Sequence, residues 1–112
     1  MVHTFNLNYK IMSSSQIPTI GDIDEISKTI LIDKHMPKKF EEGIAVHEFE
    51  ERKWLKMGHS YTFSHKKAQK KELQFYKKKF NSLPRAKKFL KEEEKYVIRT
   101  LQNQLKKDYK KL

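Results

Sequence analysis

Apolar and polar residues alternate from Phe5 through Leu7, Tyr9 and Ile11, with Asn6, Asn8 and Lys10 between them. A period of two marks a half-buried strand. A second alternation sets Ile26, Lys28, Ile30 and Ile32 against Ser27, Thr29, Leu31 and Asp33. It predicts a strand over residues 26–32, the more deeply buried of the two because Leu31 makes its other face partly apolar. Residues 13–21, with three consecutive serines, Pro18 and Gly21, read as a loop. The natural pairing of the two strands is an antiparallel ribbon. Two strands alone are marginal in water, so helices must cover one face.

The period changes after Pro37, which suits a first helical turn because its missing N–H costs nothing there. Phe40, Ile44, Val46, Phe49, Trp54 and Leu55 follow, and Gly58 stands where a glycine ends a helix. These residues predict a first helix over 37–57. Ser60 or Thr62 can cap a second helix over 61–80, and residues 81–84 break it, with Pro84 placed for another first turn. Phe89, Leu90, Val97, Leu101, Leu105 and Leu112 then recur at helical spacing, predicting an amphipathic helix over 84–112. The outline is a single α+β domain: an N-terminal antiparallel ribbon within residues 1–34, then three α-helices, the last long and amphipathic.

Composition narrows the picture. Hydrophobic residues make up 37% of the 112 positions and charged residues 35%, against usual shares of about 45–50% and about 25%. The 7 Phe, 5 Tyr and 1 Trp, set against only 3 Gly and 3 Pro, argue for a folded chain. The absence of cysteine excludes disulfides, thiolate zinc sites, iron–sulfur clusters and cysteine nucleophiles. No apolar run approaches the ~20 residues of a membrane span, and residues 1–10 lack a signal-peptide core. A soluble cytoplasmic protein with no membrane partner is expected. The net charge of +11 is uneven: residues 1–65 carry 8 basic and 9 acidic side chains, and residues 66–112 carry 17 and 5. Such a step implies two surfaces with different partners.

The acidic half holds the candidate chemistry, His47-Glu48-Phe49-Glu50-Glu51. Four residues apart on a helix, His47 and Glu51 share a face at about 6 Å. An imidazole and a carboxylate at that separation can hold one zinc ion, and Glu48 stands where a general base for hydrolysis belongs. The arrangement follows the His-Glu-x-x-His logic of metalloproteases with the second histidine replaced by glutamate. A catalytic zinc needs a third protein ligand. His65 leads, with His59 as its substitute. Glu72 is two turns beyond His65, with Cα atoms roughly 10.5 Å apart. It reads as a partner behind the ligands, or as a salt bridge to the neighbouring lysines. In a helix this rich in glutamate, a solvated acidic face gives the same pattern. His35 and His59 read as surface residues, His3 lies beside the terminus, and Trp54 and Met57 read as core. Tyr61 is placed either to polarise a substrate oxygen or to pack.

The run Ile32-Asp33-Lys34-His35-Met36-Pro37-Lys38-Lys39, followed by Gly43-Ile44-Ala45-Val46-His47-Glu48 and Glu51, resembles a family of small uncharacterised microbial and phage proteins. In that family an Asp and a Pro-Lys-Lys precede an apolar His-Glu-x-x-Glu helix. A Gly-x-x-Tyr turn and an Ala-His-x-x-Ala-x-x-x-Glu helix come next. Gly58, Tyr61, His65, Ala68 and Glu72 stand at the matching positions. The resemblance covers roughly residues 32–72. It implies a zincin-like metal site with His47, Glu51 and His65 as ligands and Glu48 as base, and it lends no substrate. This chain departs from it at Ser64, where alanine is expected, and in a far more basic second helix.

Two functions of different classes follow. The first is a zinc-dependent hydrolase of peptide-bond type, its small size limiting it to a short substrate or a single protein partner. The second is a basic nucleic-acid-binding accessory protein whose His/Glu cluster is structural or inactive. There Lys66, Lys67, Lys70, Lys71, Lys77 and Lys78 would meet phosphates, Lys79, Lys87, Lys88 and Lys91 would extend the patch, and Phe75, Tyr76 and Phe80 are interleaved. Contacts over residues 66–91 would read little sequence, since arginine, the usual base reader, occurs only at Arg52, Arg85 and Arg99. The two functions are compatible.

Overall fold

The structure is a computed structural model that describes residues 2–6, 9–14 and 20–110, with side chains described over 9–12 and 20–103. Four strands come first: β1 (Val2–Asn6), β2 (Tyr9–Ser14), β3 (Gly21–Asp24) and β4 (Thr29–Asp33). After a single 3-10 turn at Lys38–Phe40, three helices follow: α1 (Glu41–Lys56), α2 (Tyr61–Phe80) and α3 (Leu83–Lys110). The α+β order with a long last helix is the one the sequence predicts.

The pairing inside the sheet differs from a single ribbon. Strand order is β1-β2-β4-β3. Antiparallel hairpins β1–β2 and β3–β4 lie side by side, joined by a parallel β2–β4 pair that sets Ile11 beside Ile30. The alternation from Phe5 to Ile11 therefore crosses a reversal between β1 and β2, to which a period of two is blind. Residues 26–32 likewise divide. Residues 25–28 form a turn, with Ile26 97% exposed and Lys28 at φ +54°, and the strand begins only at Thr29. Asp24 closes this turn, its Oδ1 accepting from the Ile26 N–H at 3.1 Å. Of the predicted loop 13–21, Ser13 and Ser14 extend β2, Gly21 opens β3, and residues 15–19 lie outside the described residues.

Ile11, Ile23, Ile30 and Ile32 of the sheet pack under Met36, Phe40, Ile44 and Ala45, and Phe89, Tyr96 and Val97 of α3 close the side. Burial of each large side chain there contributes about 1.5–3 kcal/mol. The helices begin and end on local signals. At the end of α1 the His59 N–H donates to the Trp54 carbonyl at 3.2 Å and the Gly58 N–H to Leu55 at 3.0 Å. These two bonds need a left-handed residue between them, and Gly58 supplies it at φ +92°. Ser60 Oγ accepts from the Phe63 N–H to start α2, Asn81 ends it at φ +51°, and Ser82 Oγ accepts from Arg85 to start α3.

The α1–α2 contact sets the site. The buried residues of α2 recur every four positions, Ser64, Ala68, Glu72 and Tyr76, and the first two are small enough for a close approach. On α1 a Cβ at Gly43 would overlap Tyr76 Oη, so only glycine fits. Trp54 and Met57 are not core residues: Trp54 is half-buried against Phe63 and His59 at the α1–α2 turn, and Met57 is 61% exposed. Among the described residues no helix is long and apolar enough to cross a membrane.

Candidate metal centre

On α1, His47 and Glu51 face α2 one turn apart, and His65 enters from the first turns of α2. His47 Nε2 lies 3.1 Å from Glu51 Oε2, and His65 Nδ1 lies 2.9 Å from the same oxygen. One donor atom from each of the three residues falls within 4.8 Å of the others. Nitrogen and carboxylate donors about 2.0–2.2 Å from a shared zinc ion lie roughly 3–4 Å apart. The group could hold a metal ion. The sequence-predicted trio is therefore brought together, and His59 stands apart, its ring stacked on Phe63 at 4.3 Å.

The backing of His47 fits a metal ligand. Glu72 Oε1 lies 3.1 Å from His47 Nδ1. That contact leaves Nε2 facing Glu51, and a carboxylate behind the distal nitrogen is the usual support of a metal-bound histidine. Glu72 is 4% exposed, and its Oε2 is buried without a donor. The earlier placement of Glu72 behind the ligands therefore matches where its side chain lies.

With no metal, charge is arranged around protons. Burial disfavours the charged His47 ring, but hydrogen bonds to Glu51 and Glu72 outweigh it and raise the ring to about 9. Both ring nitrogens then donate, each to a carboxylate. Burial also opposes ionisation of Glu51, yet hydrogen bonds from His47 and His65 prevail and hold it below the usual carboxylate value. Glu48 follows the opposite course. Burial first, then the Glu51 charge, pushes it up to about 7. Its side chain leans on Gly21 of β3, where an added Cβ would stand 2.9 Å from Glu48 Cγ. This second glycine makes room for a site residue.

Tyr61 is 61% exposed, its ring stacked on His65 at 5.4 Å, so it stands at the edge of the site and is not packed in the core. His47, Glu48, Glu51 and His65 line a cavity of about 680 Å³, whose far wall is made by Leu73, Leu90, Val97, Ile98 and Leu101. His35 is elsewhere, 2.8 Å from Asp33 Oδ1. His3 lies in β1, its side chain outside the described residues.

Lys66, Lys67, Lys70, Lys71, Lys77, Lys78 and Lys79 are all exposed on α2, and Lys87, Lys88 and Lys91 are exposed on α3. The aromatics between them turn inward. Tyr76 is fully buried, and Phe80 packs on Phe89 at 4.9 Å. Stacking on bases through Tyr76 is therefore closed.

Sequence reading passed over Glu93 of α3, which is 5% exposed and accepts a 2.8 Å hydrogen bond from Tyr76 Oη. It sits inside Glu92-Glu93-Glu94, which reads as a solvated run. The available signal was its register: Glu93 is four residues from both Phe89 and Val97, on the apolar stripe. No known family, curated protein or solved structure matches the chain.

Proposed function

We propose that the protein is a small zinc-dependent hydrolase of zincin-like type that cuts a peptide bond in a short substrate or in a single protein partner. The observation that carries this reading is the convergence of His47, Glu51 and His65 donors within 4.8 Å, with Glu48 lining the same cavity. Two imidazoles and one carboxylate suit zinc, which accepts nitrogen and oxygen together and keeps a position open at catalytic sites. When bound, zinc supplies Lewis acidity, polarising a carbonyl and making water more acidic. Glu48 then has the role of base: its carboxylate takes the proton from water and returns it to the leaving amine. Glu72 holds the His47 ring in place, and Leu73, Leu90 and Val97 offer a substrate apolar contacts in the cavity.

Glu48→Gln tests these roles, because it keeps the side chain's shape and removes the base. With a pool of short synthetic peptides, hydrolysis should fall by about 10²–10⁴-fold while metal content stays unchanged. Loss of metal in Glu48→Gln would make Glu48 a ligand, and full activity would place the base elsewhere.

The exposed lysine row of α2 favours a compatible second reading, attachment to nucleic acid through phosphates alone. Affinity for duplex DNA should then be indifferent to sequence and fall steeply between about 50 and 200 mM salt. A flat salt profile would reduce the row to a solvated face.

A further inference from the structure

Behind His47 and Glu72 lies a buried acid, Glu93, that the hydrolytic roles leave unused. The Glu93 carboxyl of α3 reaches hydrogen-bonding distance of Glu72, and its Oε1 accepts from Tyr76 Oη at 2.8 Å. Glu72, Glu93 and Tyr76 are 4%, 5% and 0% exposed. Among the described residues no lysine or arginine pairs with either acid. Two bare carboxylates in contact away from water repel each other, so one of such a pair keeps its proton. Counted as an ionised pair, they also leave Glu72 Oε2 buried without a donor, at a cost of about 1–3 kcal/mol. One proton on Glu93 removes both penalties.

We infer that Glu93 is a positioning residue of the metal centre, a neutral carboxylic acid that donates to Glu72 and so keeps Glu72 Oε1 on His47 Nδ1 and His47 Nε2 turned toward Glu51 and His65. The inference rests on the metal-site reading above. Burial first, then the hydrogen bond with Glu72 and the Glu72 charge, hold Glu93 well above the usual carboxylate range. Tyr76 acts on the same bond from the other side. Its hydroxyl donates to Oε1 and so fixes the Glu93 carboxyl in place. Gly43 gives Tyr76 Oη the room to do so. Helix α3, which supplies none of the three ligands, thereby enters the site through one acid.

Two measurements on the full chain test this. The first is the infrared spectrum of the metal-free protein at about pH 9, where Glu48, pushed only to about 7, is ionised, compared with that of Glu93→Gln. The parent should show the carbonyl band of a neutral carboxylic acid, shifting in heavy water, and the variant should lack it. The second is zinc affinity by competition with a chelator, with circular dichroism as a check on folding. Glu93→Leu, which cannot donate, should weaken zinc by about 10–100-fold. Glu93→Gln, whose amide N–H can donate to Glu72, should stay close to the parent. A parent without the band has an ionised Glu93, which overturns this proposal and leaves the metal site standing. Equal affinities in Glu93→Gln and Glu93→Leu would make Glu93 a packing residue and overturn it too. A second zinc per chain that Glu93→Gln removes would replace the shared proton with a cation. A parent that binds no zinc overturns the site and this proposal together.

Discussion

Helix α1 has two buried faces that are held by different physics. Toward the sheet it presents Phe40 at its N-cap, then Ile44 and Ala45, packed on Ile11, Ile30 and Ile32. Toward α2 it presents Gly43, His47 and Glu51, which meet Tyr76, Glu72 and His65. The first face gains from removing hydrocarbon from water and tolerates any change that preserves volume. On the second face each buried polar atom depends on one partner, and losing it leaves the other unpaired. A chain this small has little interior to spare. Its placing of two histidines, two glutamates and a tyrosine hydroxyl on one seam points to work at that seam.

The contrast can be broken most forcefully at Phe40, which is fully buried between the sheet and α3. Phe40→Ala should cost about 3–5 kcal/mol in a urea melt, to nearly the same extent at every pH. A loss that varied strongly with pH would mean that the two faces are not independent.

The polar seam should answer to pH instead. The folded His47 value is raised from 6.5 to about 9 because its hydrogen bonds to Glu51 and Glu72 outweigh burial. A raised basic group stabilises the fold fully below its unfolded value, and that contribution is lost as pH rises through the folded one. His47 alone should therefore take roughly 3 kcal/mol at most from the metal-free protein between about pH 6 and pH 10, and the raised Glu48 and Glu93 carboxyls add losses of the same sign. Zinc affinity should run the other way and strengthen over the same range, since the metal displaces the His47 proton. His47→Ala should make the fall in stability shallower and abolish zinc binding.

Gly43→Ala probes the steric side of the seam. The new methyl must displace Tyr76, a rigid buried ring, so a cost of about 1–3 kcal/mol is expected. Zinc affinity should fall with it, because the Tyr76–Glu93 bond shifts. A stable Gly43→Ala variant with unchanged affinity would show that Tyr76 plays no part in the site.

The helices were legible in the sequence because their ends are written in single residues. Gly58, Ser60 and Pro84 each act through local backbone geometry, whereas Pro37, expected to open the first helix, precedes the 3-10 turn Lys38–Phe40, and α1 begins only at Glu41. The strands were less legible. A period of two reports which face a residue takes and carries no direction, so Phe5 to Ile11 looked like one strand across a reversal. Ile26 kept the beat while standing in a turn. At the site, His47 and Glu51 were readable from helical spacing alone, and His65 from its place beyond the Gly58 turn. Glu93 and Gly43 were not, because their roles come from the packing of α3 and α2 against neighbours far away in sequence. Only an acid on an apolar stripe hinted at the first.

Zinc binding by the metal-free protein, purified without a histidine tag, is the measurement closest to the central claim. The parent should take up one zinc per chain, and so should the Lys77→Ala, Lys78→Ala double variant, since both lysines are exposed and lie outside the cavity that holds the three ligands. His47→Ala, Glu51→Ala and His65→Ala should each lose it, with circular dichroism showing that the helices remain. A parent that binds no zinc, or a His65→Ala variant that binds it as tightly as the parent, would contradict the account.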